Sequence, residues 1–130
     1  MRLVGFALCF VMAVSAAHAQ TTGDTVLHRC QKTIHLYENN GGPVKDQFDE
    51  GWCVGWVDSA LGVEELHAQW REVTGAKPGI LDFCLPEKGV PVIQGVQVVV
   101  KYLTDHPQQL HVDGMTVTIM ALKAGFPCKS

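Results

Sequence analysis

The cysteines of this 130-residue chain constrain its fold more than any other feature, because the N-terminus predicts that the chain is exported. Met1 and Arg2 give a positive start, an apolar run follows, and residues 17–19 have the small-x-small pattern that signal peptidase cleaves. We therefore predict a signal peptide over residues 1–19 and one domain over residues 20–130. The apolar run is shorter than the roughly 20 residues that span a bilayer, so we expect no stable membrane insertion.

Removal of Cys9 with the signal peptide leaves an even set of cysteines, namely Cys30, Cys53, Cys84 and Cys128. In an oxidising compartment such a set predicts disulfides, and none of the four has the C-x-x-C spacing of a redox or zinc site. We therefore predict two structural bridges, each of which would stabilise the fold by roughly 3 to 4 kcal/mol in the chain-entropy model.

Composition favours a small folded domain and excludes one class of partner. The chain is 47% hydrophobic and 18% charged, outside the range of disordered segments. Its net charge of −3 argues against a nucleic-acid groove, which needs clustered lysines and arginines to neutralise phosphates. We therefore expect no nucleic-acid partner.

Helical periodicity marks the first half of the chain. Residues 24–38 carry apolar side chains three and four apart, at Val26, Leu27, Cys30, Ile34 and Tyr37. Residues 39–43 (Asn-Asn-Gly-Gly-Pro) predict a turn, after which Asp46 can cap a second helix. We expect that helix to bury the face formed by Phe48, Trp52, Trp56, Ala60 and Val63, widened by Cys53, Val57, Leu61 and Leu66.

A second face of this helix carries Gly51, Gly55 and Ser59. Each glycine costs an exposed helix about 1 kcal/mol, so we expect close approach of another backbone here, with a binding groove as the alternative. An exposed loop at residues 75–79 closes the segment.

The second half is ambiguous, because residues 90–100 and 115–119 are rich in β-branched side chains. Spacings of three and four favour a third helix over residues 91–104, and Asp113 can cap a fourth that ends near Gly125. A hairpin of strands is the alternative. The predicted fold class is all-α, a small bundle of four to five helices with two disulfides.

Two helical hairpins also predict how the cysteines pair. A turn near residues 41–42 places Cys30 and Cys53 at equal distances along antiparallel helices, and a turn near residues 106–107 does the same for Cys84 and Cys128. These two pairs are the favoured bridges, although the sequence leaves the other two connectivities open.

Tests for reactive chemistry find no motif. The five histidines outside the signal peptide form no H-x-x-x-H or H-E-x-x-H pair, and His106 and His111 flank a turn, where surface or turn-stabilising roles are favoured over metal binding. Ser59 lacks the G-x-S-x-G elbow of a serine nucleophile, and the cysteines are committed to bridges. We expect no catalytic residue, no metal site and no cofactor.

Three tryptophans could serve a binding role. Trp52 and Trp56 lie in the predicted core stripe of the second helix. Trp70 lies near the end of that helix, beside the Gly-Pro loop, where core burial is favoured over a role as an interface anchor.

An ordered set of short motifs resembles one known family. The motifs are Cys53-Val54-Gly55-Trp56, Phe83-Cys84-x-Pro86, Val99-x-Lys101-Tyr102-Leu103, His106-Pro107, Leu110-His111, Ala121-Leu122 and Phe126-Pro127-Cys128. Together they resemble the Tai/Rap immunity proteins of type VI secretion, over most of the chain from Cys30 to Cys128. Trp56 stands where that family usually has tyrosine, and residues 70–81 look long.

The resemblance implies a helical periplasmic protein without chemistry of its own. Such a protein binds and inhibits a secreted peptidoglycan amidase by blocking its active-site cleft, often as a homodimer. No shared motif identifies inhibitory residues, so we nominate Trp70, Lys77 and Pro78, because an exposed Gly-Pro loop beside an aromatic can enter a cleft. The alternatives are a periplasmic helical stress chaperone and a small hydrolase, for which no activated nucleophile is found.

Overall fold

The computed structural model describes residues 20–42 and 44–129, and the predicted signal peptide lies outside them. The described part contains four α-helices, α1 (Gly23–Glu38), α2 (Val44–Thr74), α3 (Val92–Asp105) and α4 (Gly114–Gly125), with one 3₁₀ turn at Pro107–Gln109. An isolated bridge between Thr22 and Asp113 is the only β pairing among these residues, so the hairpin of strands is wrong. The prediction of an all-α bundle with two disulfides is confirmed.

The helices α1 and α2 form an antiparallel hairpin. Its turn uses left-handed backbone at Asn40 and Gly41, where φ is 54° and 119°. A disulfide of 2.05 Å joins Cys30 to Cys53, and both side chains are fully buried. The bridge therefore lies inside the core and fixes how the two helices face each other.

The buried face of α2 is narrower than the predicted one, which is confirmed at Cys53, Val57, Ala60 and Leu61. Its fully or nearly buried residues are Cys53, Val57, Ala60, Leu61 and Glu64. Phe48, Val63 and Leu66, which the periodicity placed on the core face, are more than half exposed. Tyr37 of α1 is exposed in the same way. The buried and the exposed apolar residues of α2 both have helical spacing. The disulfide requires Cys53 to face Cys30, so the side of α2 that carries Cys53 is the buried one.

The tight contact between α2 and α3 lies at Gly95 of α3, rather than at the small residues of α2. A Cβ atom on Gly95 would lie 3.0 Å from Val57 Cγ1 and 3.2 Å from Leu61 Cδ1. At Gly51 and Gly55 an added Cβ would meet no other described atom within 4 Å. The expectation of close packing along that face within the chain is therefore wrong, because α3 approaches α2 from the opposite side.

The prediction of two helices in the second half is confirmed. α3 starts at Val92 with Pro91 in the N-cap position, one residue later than expected. Asp113 caps α4 by accepting a hydrogen bond of 2.9 Å from the Thr116 backbone N–H. The β-branched side chains Val96, Val99 and Val117 are fully buried, so tertiary packing outweighs their strand propensity.

A second disulfide, of 2.04 Å, joins Cys84 to Cys128, which is the pairing that the second predicted hairpin favoured. His106 stabilises the turn between α3 and α4, because its Nδ1 donates to the Tyr102 carbonyl at 2.7 Å and its ring stacks on Tyr102 at 4.1 Å. None of the described helices has the length and apolar character required to cross a membrane.

Trp52 and Trp56 lie at the edge of the core rather than inside it. The two rings stack with their centroids 4.8 Å apart, and both side chains are half-buried against the core cluster. Trp56 Nε1 donates to the fully buried Thr118 Oγ1 at 3.0 Å, and that hydroxyl donates in turn to the Gly114 carbonyl. The core role predicted for these tryptophans is therefore confirmed in part.

Candidate functional site

The C-terminal part of α2 extends past the helices that pack against it. α2 has 31 residues, whereas α3 and α4 have 14 and 12. At 1.5 Å per residue these lengths are about 46, 21 and 18 Å, so neither later helix can cover α2 along its whole length. The last turns of α2 therefore present a face without a partner helix in the described chain.

Large apolar side chains line this part of α2. Val63, Leu66, Trp70 and Val73 follow at steps of three, four and three, which places them on one side of the helix. Their exposed fractions range from 51% to 85%. We call these four residues the apolar stripe.

The chain after α2 adds to this surface. Ile80 and Leu81 are 85% and 66% exposed on the loop that follows Thr74. Contiguous exposed apolar surface of this kind marks interaction sites in soluble proteins. We define the α2 tip as the apolar stripe together with residues 75–81.

A buried ion-pair network holds the loop of the α2 tip against the helix. Arg71 donates to Glu64 Oε1 at 2.5 Å and to Asp82 Oδ2 at 2.7 Å. The side chains of these three residues are only 13%, 4% and 15% exposed. Glu64 lies one turn beyond Ala60 on the buried face of α2. The ion-pair network is therefore adjacent to the end of the apolar core.

Asp82 connects several parts of the network. It accepts a hydrogen bond of 2.7 Å from the Gly79 backbone N–H, which closes the loop, and His67 Nδ1 lies 3.4 Å from its other oxygen. The Gly79 N–H and the nearby Arg71 charge outweigh partial burial and lower the pKa of Asp82. The Glu64 carboxylate accepts a hydrogen bond from the Arg71 guanidinium and thereby raises the pKa of Arg71.

The same cluster has the geometry of a cation site. Glu64, His67 and Asp82 bring one ligand atom each within 4.8 Å of one another. The Arg71 guanidinium bonds both carboxylates, so it already supplies the positive charge that a metal would bring. We therefore assign this cluster a structural role.

The three residues nominated as partner contacts lie on two different parts of the surface. Trp70 is 66% exposed on the apolar stripe, so the expectation that it is buried in the core is wrong. Lys77 and Pro78 are exposed on the loop and line a different depression, which also contains Lys123 and Lys129. The Lys123 ammonium donates to the Ile80 carbonyl and so anchors this side of the loop.

Sequence reasoning missed most of the exposed stripe. Leu66 and Val73 share one side of α2 with Trp70, and that spacing is visible in the sequence, but helical spacing is equally compatible with burial. Arg71 and Asp82 carried no motif that could have paired them, because they lie 11 residues apart across a loop.

Comparison with known proteins gives one match. The sequence model of the Rap1a immunity proteins matches residues 22–128. No curated protein and no solved structure matches the chain significantly.

Proposed function

Because the chain belongs to the Rap1a immunity protein family, we propose that it binds a type VI secreted peptidoglycan amidase and inhibits it by blocking the active-site cleft. In this proposal the protein works in the periplasm after its signal peptide is removed, and it performs no chemistry. Inhibition by occlusion requires only a rigid surface that fits the enzyme.

The single observation that supports this function is the α2 tip. It combines six exposed apolar side chains, namely Val63, Leu66, Trp70, Val73, Ile80 and Leu81. Aromatic side chains are the most frequent anchors of protein interfaces, and a preorganised surface loses less entropy on binding. The Arg71 network and the Cys84–Cys128 disulfide restrain the chain on either side of Phe83, so the α2 tip meets both requirements.

We propose Trp70 as the anchor, with Lys77 and Pro78 as contacts at the edge of the interface. Trp70 offers the largest exposed apolar side chain of the α2 tip. Lys77 adds a positive charge and Pro78 a fixed backbone angle on the loop beyond it.

The test measures binding of purified variants to a purified type VI peptidoglycan amidase from the same organism. Trp70→Ala should weaken binding by about 30-fold or more, since truncating an anchor costs roughly 2 to 4 kcal/mol. Lys77→Ala with Pro78→Ala should weaken it less. Tyr37→Ala is the matched control, because Tyr37 is a 60% exposed aromatic near the end of α1, beside the turn that leads into α2 and away from the α2 tip.

Two results would contradict this assignment. Equal losses for the Trp70 and Tyr37 variants would show that binding does not use the α2 tip. An unmodified protein that neither binds nor inhibits the amidase would remove the proposed function itself. Circular dichroism of each variant separates lost contacts from lost folding.

We also propose a homodimer in which two α2 helices cross at Gly55. Gly51 and Gly55 lie on the outer face of α2, where an added Cβ meets no described atom within 4 Å. Small residues allow close approach, and a steep crossing contacts only a few turns, which leaves the α2 tip free. Light scattering should show a dimer that Gly55→Arg dissociates, and a monomer at the highest soluble concentration would refute the proposal.

The stress-chaperone alternative would also use an exposed apolar surface. A chaperone of that class should bind many unfolded proteins and expose more apolar surface at low pH. The immunity proposal instead expects one saturable complex near neutral pH, so titration of the amidase and of a reduced, unfolded protein distinguishes the two.

A further inference from the structure

A cavity beside the α2 tip suggests how the effector is anchored. It has a volume of about 320 Å³ and opens between α2, α4 and residues 81–83. Its lining is mostly apolar, formed by Ala60, Val63, Leu81, Phe83, Met115 and Ile119. We call it the anchor pocket.

The anchor pocket is continuous with the surface proposed to bind the effector. Ala60 and Phe83 belong to the buried core, so the pocket is a place where the core opens to solvent. Val63 and Leu81 form part of its wall and are also 51% and 66% exposed as members of the α2 tip. A partner that covers the α2 tip therefore also covers the mouth of this pocket.

The polar side of the pocket carries a negative balance. Glu64 and Asp82 contribute two carboxylates, and both are bonded to the single guanidinium of Arg71. His67 also lines the pocket and is half exposed. The two carboxylates and the one guanidinium leave a balance of −1 beside the mouth. A cation next to the entering group complements this charge.

We propose that the anchor pocket receives one apolar side chain of the amidase effector, flanked in the effector by a lysine or arginine. This inference rests on the proposed function. The volume lies at the lower end of the range for ligand cavities, which suits a single large side chain better than an extended molecule. The aromatic and aliphatic lining provides the desolvated surroundings in which interface anchors contribute most.

Two neighbouring residues of α4 provide a matched test. Ile119 lines the pocket, whereas Met120 is 38% exposed and lies outside its lining. Ile119→Phe adds three carbon atoms to the pocket wall, so it should narrow the pocket and weaken binding of the same amidase by at least 10-fold. Met120→Phe adds a similar volume outside the pocket and should leave the affinity within twofold.

A second measurement keeps the inference testable if Ile119→Phe does not fold. After removal of the signal peptide, the only methionines are Met115 in the pocket and Met120 outside it. N-acetylphenylalanine amide should therefore shift the methyl NMR signal of Met115 and not that of Met120. N-acetylalanine amide at the same concentration should shift neither signal.

Each outcome supports or overturns the inference. If the amidase binds the unmodified chain and a folded Ile119→Phe variant equally, the pocket is not used, while the proposed function stands. A Met115 signal unmoved by the phenylalanine probe also overturns it. If Ile119→Phe changes the oligomeric state and leaves amidase binding unchanged, the pocket binds a second copy of this chain and the inference is overturned. If the unmodified chain does not bind the amidase at all, both the proposed function and the inference fail.

Discussion

Replacement of Arg71 by methionine should destabilise the protein and release the loop of the α2 tip. Methionine keeps an apolar stem but removes the guanidinium that bonds Glu64 and Asp82. Two carboxylates would then remain in a largely buried position, and their nearest nitrogen atoms would be the Gly79 N at 2.7 Å, His67 Nδ1 at 3.4 Å and the Phe83 N at 3.5 Å. Unpaired buried charge is the main cost of this substitution.

The expected loss follows from the burial of the three side chains. Removing one partner of a fully buried ion pair costs about 3 to 5 kcal/mol. Arg71 and Asp82 are 13% and 15% exposed, so water can reach part of the site after the change. We therefore expect Arg71→Met to lower the free energy of unfolding by about 2 to 3 kcal/mol, below the fully buried range.

Urea denaturation at pH 7 measures the global effect, and hydrogen exchange of residues 79–83 measures the local one. Lys101→Met is the matched control, because its ion pair with Asp105 is a surface i, i+4 contact, and such contacts contribute little. In a double-mutant cycle, Asp82→Asn should recover part of the loss in the Arg71→Met background. A midpoint for Arg71→Met as close to wild type as that of the control would refute the reasoning.

Three further predictions concern the rest of the fold. Thr118→Val should cost about 1 to 2 kcal/mol in a urea titration, because it leaves the Trp56 indole N–H without its acceptor, and an unchanged midpoint would contradict the hydrogen bond. The half-exposed Cys84–Cys128 bridge should be reduced by dithiothreitol before the buried bridge between α1 and α2, as mass spectrometry of alkylated protein would show, and the reverse order would be evidence against this packing. The pKa of Asp82 is lower in the folded state than its ordinary value, so its stabilisation is complete above about pH 4 and is lost as the pH falls through the folded pKa. Thermal melting from pH 6 to pH 2 should therefore show a shallower decline for Asp82→Asn, and parallel curves would exclude this contribution.

The helices and their turns follow from local sequence. The starts and ends of α1, α3 and α4 lie within one residue of the predictions, because a capping aspartate, an initial proline and the spacing of apolar residues act over a few residues only. Both cysteine pairs are the favoured ones, and equal distance from a turn explains Cys30 and Cys53, which lie on antiparallel helices. Cys84 and Cys128 lie outside α3 and α4, on the segments that flank these helices.

The candidate site could not be predicted from the spacing of apolar residues, because it depends on how long each helix is and on which helices pack together. Trp70 was expected in the core and Gly51 and Gly55 at a close contact, yet all three are exposed. α2 offers two apolar stripes, and the position of Cys53 opposite Cys30 selects the one that is buried.

The sequence by itself determined that the described chain forms amphipathic helices joined by two disulfides, because those properties depend on neighbours within a turn of helix or on equal spacing about a turn. Only the tertiary structure decided which side of α2 is free, and that Arg71 joins Glu64 and Asp82 beneath the exposed stripe. The physical reason is that burial is set by which elements are long enough and near enough to cover one another. α2 is more than twice as long as either α3 or α4, so its last turns remain available to a partner.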